Sequence, residues 1–163
     1  MQDPFLKIIG QHQKIVHKIS RLYRDNREDQ QDLFQEIVYQ LWKAYPGFRS
    51  ESKVSTWIYR IALNTAIATF RKPKIPIDRT ENIPDQYHPT DQLKISENEE
   101  RLFAALRQLN DSDKAVISLF LEDYSYVEIA AMMGISENYV GVKINRIKEK
   151  LKLILNIKEN GYQ

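Results

Sequence analysis

The amino-acid sequence predicts an all-α fold, built as two small helical domains joined by a flexible linker. Three observations carry this. Apolar residues recur at spacings of three and four over most of the chain, the period of an amphipathic helix. No segment shows the period-two alternation of a half-buried strand. Four of the six prolines, Pro73, Pro76, Pro84 and Pro89, fall in one polar stretch without a sustained apolar period. That stretch divides the 163 residues into an N-terminal domain, 1–72, a linker, 73–97, and a C-terminal domain, 98–157. Hydrophobic residues make up 42% and charged residues 28%, a globular composition with apolar material for two modest cores.

In the first domain, Phe5, Ile8, Ile9, His12, Ile15, Val16, Ile19 and Leu22 set a helix over 5–24. A second helix, 30–45, has Phe34, Ile37, Val38, Leu41 and Tyr45 on its apolar face. Asp32, Gln35, Glu36, Tyr39, Gln40 and Lys43 lie on the opposite, polar face. Pro46-Gly47 stops it. After a polar loop, 54–71 is helical and rich in small and apolar residues. In the second domain helices are expected near 98–109 and 112–122. Ser125-Tyr126-Val127-Glu128 then reads as a capping box opening a short helix that ends at Gly134. Ser136 is the N-cap of a last helix that buries Val140, Ile144, Ile147 and Leu151 at i, i+4, i+7 and i+11.

A net charge of +2 hides a segregation. Residues 25–36 are acidic, with Asp25, Glu28, Asp29, Asp32 and Glu36 against Arg27. Residues 49–72 and 136–152 are basic. One acidic and two basic patches point to two kinds of partner, the basic pair to nucleic acid; on charge alone, ordinary solvated helix faces are the simpler account.

A short capped helix, a glycine turn and a longer basic helix form a helix-turn-helix. Gly134 permits the positive φ of the turn and Ile135 plugs the gap between the helices. With Val140 and Ile144 inward, the last helix presents Ser136, Asn138, Tyr139, Val142, Asn145 and Arg146 outward. Lys143 and Lys150 are expected on its flank, placed for phosphates. The N-terminal half holds a second candidate site. Trp57, Arg60, Asn64 and Arg71 fall on one helical stripe, preceded by the loop Phe48-Arg49-Ser50-Glu51-Ser52-Lys53. Aromatics stack bases, cations hold phosphates and amides read base edges, a mixture suited to single-stranded nucleic acid. A tryptophan at a helix start is also what a core calls for.

Catalytic and metal chemistry finds no support. With no cysteine, disulfides, thiolate zinc sites and cysteine nucleophiles are excluded. His12 and His17 are five apart, unlike an i, i+4 metal pair, and every glycine is isolated, so there is no phosphate-cradling loop. No cofactor and no enzymatic activity are expected. No apolar run reaches the roughly 20 residues of a membrane span, and Met1–Lys7 does not open a secretory signal. Without membrane insertion, the expected location is cytoplasmic.

Two blocks resemble a known family. Asp32-Leu33-Phe34-Gln35-Glu36, Leu41-Trp42, Phe48-Arg49-Ser50-Glu51-Ser52 and Ser55 through Asn64 resemble region two of extracytoplasmic-function (ECF) sigma factors, in the sigma-70 superfamily of RNA polymerase subunits. Ser125 through Ala130, Gly134-Ile135-Ser136 and Val140 through Leu151 resemble their region four. The resemblance implies a transcription initiation factor. Its 30–45 helix would dock on the clamp coiled coil of the largest subunit of core RNA polymerase. The 46–53 loop and following helix would read and open the −10 element as single strand. The helix-turn-helix would bind the −35 element as duplex promoter DNA. The mildly acidic linker would follow the RNA exit channel, and an anti-sigma factor is a common partner in this family. The family often has Gly at the position of Ser50, Thr at that of Tyr139 and a larger polar residue at that of Gly141. Two other readings remain at this point. One is a dimeric operator-binding regulator, which has no need of the Trp57–Arg60–Asn64 stripe. The other is a recombinase, which needs a nucleophile among clustered arginines.

Overall fold

The computed structural model describes residues 3–71 and 96–160, without the side chains of 69–71 and 157–160. The linker reading falls outside the described residues except at Ser96 and Glu97. The chain divides into two compact units, Met1–Lys94 and Ile95–Gln163.

The first unit is a three-helix domain. Helix α1 spans Pro4–Tyr23, α2 Arg27–Ala44 and α3 Val54–Arg71, with one 3-10 turn, Tyr45–Gly47, after α2. Each start has a local cause. The Asp3 carboxylate accepts from the Phe5 N–H at 2.9 Å, and Pro4 occupies the first turn, where no N–H is missed. Asn26 accepts from the Asp29 N–H at 2.8 Å, with Glu28 and Asp29 against the positive end of α2. The helix therefore begins at Arg27, three residues before the apolar period becomes visible. The core is Phe5, Ile9, Val16, Ile19 and Leu22 from α1, Leu33, Phe34, Ile37, Val38 and Leu41 from α2, and Ile58, Ala62, Leu63 and Ala66 from α3.

His17 sits at the edge of this core. Its ring lies 4.4 Å from that of Phe34, and its buried Nε2 has no hydrogen-bond partner among the described residues. Burial, and secondarily the nearby Arg21 charge, hold its pKa below the usual histidine value. The unfolded chain then binds a proton that the fold refuses. The associated stability is fully present above the ordinary histidine pKa of about 6.5 and is lost progressively as pH falls toward the lower folded value. Urea midpoints of the first domain should drop between pH 7.5 and 5.5, and His17→Leu should flatten that slope; equal slopes would contradict it.

The second unit contains α4 (Glu97–Leu106), α5 (Asp111–Leu121), α6 (Tyr126–Met133) and α7 (Glu137–Asn160). No strand occurs among the described residues, in line with the all-α expectation. Side-chain N-caps from Ser96, Asn110, Ser125 and Ser136 open the four helices, each accepting from the N–H three residues on at 2.8–3.2 Å. Ser96 thus starts α4 inside the stretch expected to be linker. Gly134 closes α6 at φ +69°, and the Ile135 N–H reaches back to the Ala130 carbonyl at 3.1 Å, a Schellman ending. Val140, Ile144 and Ile147 of α7 pack into a core with Ala115, Val116, Leu119, Ile129, Leu106 and Leu109.

Candidate nucleic-acid interfaces

The α6–α7 pair is a helix-turn-helix with its second helix exposed along one side. Asn138, Tyr139, Val142, Asn145, Arg146 and Lys150 are all exposed, whereas Val140, Ile144 and Ile147 are buried. The hydroxyl of Ser136 is engaged as the α7 cap, 3.1 Å from the Tyr139 N–H. A Cβ at Gly141 would meet the Tyr126 ring of α6 at 3.4 Å, an ordinary van der Waals contact, so this position of α7 lies against α6.

Lys143 departs from the expected flank position. It is only 8% exposed, and its ammonium lies 2.9 Å from the Asp113 carboxylate in the first turn of α5. The cause is its place on the shoulder of the buried face, next to Ile144, where α5 packs against α7. Its charge is paired with that of Asp113. Lys148 is exposed, its ammonium standing 4.7 Å over the Phe120 ring.

In the first unit, the loop and stripe come together around aromatic rings. Phe48 lies 4.7 Å from Trp57 at an interplanar angle of 35°, and Tyr45 lies 6.4 Å from Trp57. Phe5 then joins Tyr45 at 5.5 Å and Trp42 at 5.1 Å, so the ring chain is rooted in the core. Arg49, Ser50, Glu51, Ser52 and Lys53 are exposed, and so are Arg60 and Asn64 on α3. Ser50 has φ +58°, in the left-handed region that glycine enters most cheaply. Arg71 ends α3, and its side chain lies outside the described residues. Trp57 is half-buried, with Phe48 on one side. Tyr45 was legible only as an apolar-face residue. Its role as a ring partner follows from the 3-10 turn that carries it past the end of α2.

On α2, Asp32 and Lys43 are exposed and Gln35, Tyr39 and Gln40 half-buried, with the Lys43 ammonium 5.4 Å over the Tyr39 ring. Glu36 is the exception to the expected polar face. It is 8% exposed and accepts from the Gln40 amide at 3.1 Å. Helix α2 packs against both α1 and α3, so its buried arc is wider than a one-sided reading assumes and takes in Leu33 and Glu36. Among the described residues no cluster of His, Cys, Asp or Glu could hold a metal, and no helix is long and apolar enough to cross a membrane.

Residues 8–74 match the family described as Sigma-70 region 2, and residues 99–151 match Sigma-70, region 4. The ECF RNA polymerase sigma-E factor of Escherichia coli K12 is 30% identical, over 90% of this chain and 83% of its own. That of Haemophilus influenzae is 32% identical, over 78% of this chain and 75% of its own. The chain is an ECF sigma factor. ECF sigma factor SigM of Mycobacterium tuberculosis is 25% identical over 96% of this chain and 80% of its own. The fold is shared with the sigma factor RpoE of Bartonella quintana, solved in complex with the anti-sigma factor NepR, at a TM-score of 0.70 and 17% identity, covering 94% of this chain and 97% of that one. It is shared likewise with CnrH, solved with the cytosolic domain of CnrY, at 0.65 and 22%, covering 94% and 88%. As a sigma factor the protein recognises promoters and initiates transcription with RNA polymerase. The three-helix unit is region 2 and the helix-turn-helix unit region 4, which sets aside the operator-binding regulator and the recombinase.

Proposed function

We propose a division of labour among three surfaces of this sigma factor. Region 2 captures −10 bases as single strand between the Phe48 loop and the Arg60–Asn64 stripe. The exposed face of α7, with Asn138, Val142, Asn145 and Arg146, reads the −35 element as duplex, while Lys150 contacts phosphate. The surface of α2 around Asp32, Gln35, Tyr39 and Lys43 docks on the clamp coiled coil of the largest polymerase subunit. The protein acts in the cytoplasm, carries no catalytic step of its own, and is open to restraint by an anti-sigma factor. The complex of RpoE with NepR, a chain of the same fold, supports including that partner.

The observation that carries the reading is the Phe48–Trp57 ring pair bordered by exposed Arg60 and Asn64. Unstacking a base costs a few kcal/mol. An aromatic face returns about 1–3 kcal/mol per base, and Asn64 adds a donor and an acceptor for a base edge. Permanganate footprinting of holoenzyme on a cognate promoter tests it. Phe48→Ala should lower thymine reactivity at −10 by roughly five- to a hundredfold, the equivalent of that stacking range, and Asn64→Ala should lower it through the lost base-edge hydrogen bonds, with closed-complex binding little changed in both. Normal reactivity in both variants would refute the pocket.

A further inference from the structure

Tyr139 is held in a way the reading above does not use. It is 42% exposed near the start of α7, and its N–H is capped by Ser136 at 3.1 Å. One turn on, at i+4, the Lys143 ammonium stands 5.2 Å from the Tyr139 ring centre, within cation–π reach. Lys143 is in turn fixed by Asp113 at 2.9 Å, the two side chains 10% and 19% exposed. Asp113 is itself fixed, because Asn110 caps the first turn of α5 through the Asp113 N–H at 2.8 Å. A line of contacts therefore runs from the α5 cap to the one aromatic ring on the exposed face of α7.

We propose that Tyr139 is a specificity-determining residue that reads the methyl edge of a thymine in the −35 element, and that Lys143 and Asp113 are positioning residues that hold its ring. This rests on α7 being the −35 reading helix. Among base edges in the major groove, the thymine methyl is the apolar one, and an apolar side-chain surface is its natural partner. The neighbouring Asn138, Asn145 and Arg146 supply polar contacts and leave the apolar contact to Tyr139 and Val142. A ring already pinned before DNA arrives loses little rotamer freedom on binding. At 5.2 Å the Lys143 ammonium still faces the Tyr139 ring directly, while Asp113 at 2.9 Å balances its charge at longer range, so the pair adds little to the salt dependence of binding.

The test uses holoenzyme and a −35 duplex in which each thymine is replaced in turn by uracil, which deletes only the methyl. The unaltered protein should lose roughly fivefold in affinity at one thymine, the low end of a single-base discrimination, and Tyr139→Ala should be indifferent at that position. Lys143→Met should blunt the same discrimination while leaving the slope of affinity against salt unchanged, and should add nothing in a Tyr139→Ala background. Asp113→Asn, which keeps an acceptor for Lys143, is the second arm if Lys143→Met fails to fold. Tyr139→Ala disturbs only an exposed position and stays readable in either case. A flat uracil series for the unaltered protein would overturn the proposal. So would a Lys143→Met variant that weakens every duplex alike and shallows the salt slope by about one, the signature of a phosphate contact. Asn145→Ala and Arg146→Ala separate the two levels. If neither alters sequence preference, the −35 assignment of this face fails; if they do and the uracil series is flat, only the role of Tyr139 fails.

Discussion

Phe5→Ala is expected to destabilise region 2 by about 3–5 kcal/mol, the usual cost of emptying a fully buried aromatic site. Phe5 has no exposed surface and sits edge-on to Trp42 at 5.1 Å while touching Tyr45 at 5.5 Å. Tyr45 neighbours Trp57, and Trp57 pairs with Phe48 of the loop before α3. The cavity would thus open beneath the ring chain that shapes the proposed pocket. Both tryptophans of the chain, Trp42 and Trp57, lie in region 2, so their fluorescence in a urea titration reports this domain alone. A large fall in midpoint is the expected result, with strand opening lost well below the temperature at which the unaltered protein loses it and −35 binding by region 4 retained. Phe5→Leu, which keeps most of the volume, should cost much less. A midpoint shift worth under about 1 kcal/mol for Phe5→Ala would show that the site collapses freely and that the rings do not depend on it.

How legible these features were depends on where their cause lies. Helices α1, α3 and α7 declare themselves through apolar residues spaced by three and four, and the helix-turn-helix through Ser125, Gly134 and Ser136. All of these causes are local in sequence. Helix α2 is read less well because it is pressed from two sides. Its acidic first turn hides the Asn26 cap, and its wide buried arc takes in Leu33 and Glu36, which a one-face pattern assigns otherwise. Lys143 is misread for a different reason. Its partner Asp113 is 30 residues away and on another helix, a pairing that no periodicity encodes. The aromatic site was partly legible, since Phe48 and Trp57 stand out by residue type. The contribution of Phe5 and Tyr45 appears only once α1 is laid against the end of α2. At Ser50 the family's usual glycine marks a departure that leaves the loop's shape open in the sequence, and the structure has this serine in the left-handed region at φ +58°.

Glu36→Lys and Asp32→Lys should have opposite consequences, although both residues lie on the polar side of the helical pattern. Glu36 is 8% exposed, between helices, with one carboxylate oxygen engaged by Gln40 at 3.1 Å. A lysine there inverts the charge at a nearly dry position and turns the hydrogen-bond acceptor into a donor facing the Gln40 amide. Leaving a nearly buried polar group without its partner costs about 1–3 kcal/mol, more for charged groups, so the expected loss is about 2–3 kcal/mol. Any loss of polymerase binding by Glu36→Lys should therefore follow unfolding. It should disappear in parallel with helicity when temperature is raised, and Glu36→Gln, which keeps an acceptor and removes the charge, should recover most of both. Asp32 is exposed, so exchanging it should change stability by no more than about 1 kcal/mol, the range of surface ion pairs. If the α2 surface is the docking face, Asp32→Lys should nonetheless weaken core polymerase binding, faster on-rates being what surface charges chiefly provide. Circular dichroism melts and affinity for core polymerase, measured on the same preparations, separate the cases. A fully stable Glu36→Lys would mean that the side chain escapes to solvent and that α2 has the wider polar face its sequence suggests. A fully stable Asp32→Lys with undiminished affinity and on-rate would move the docking surface off this stretch of α2.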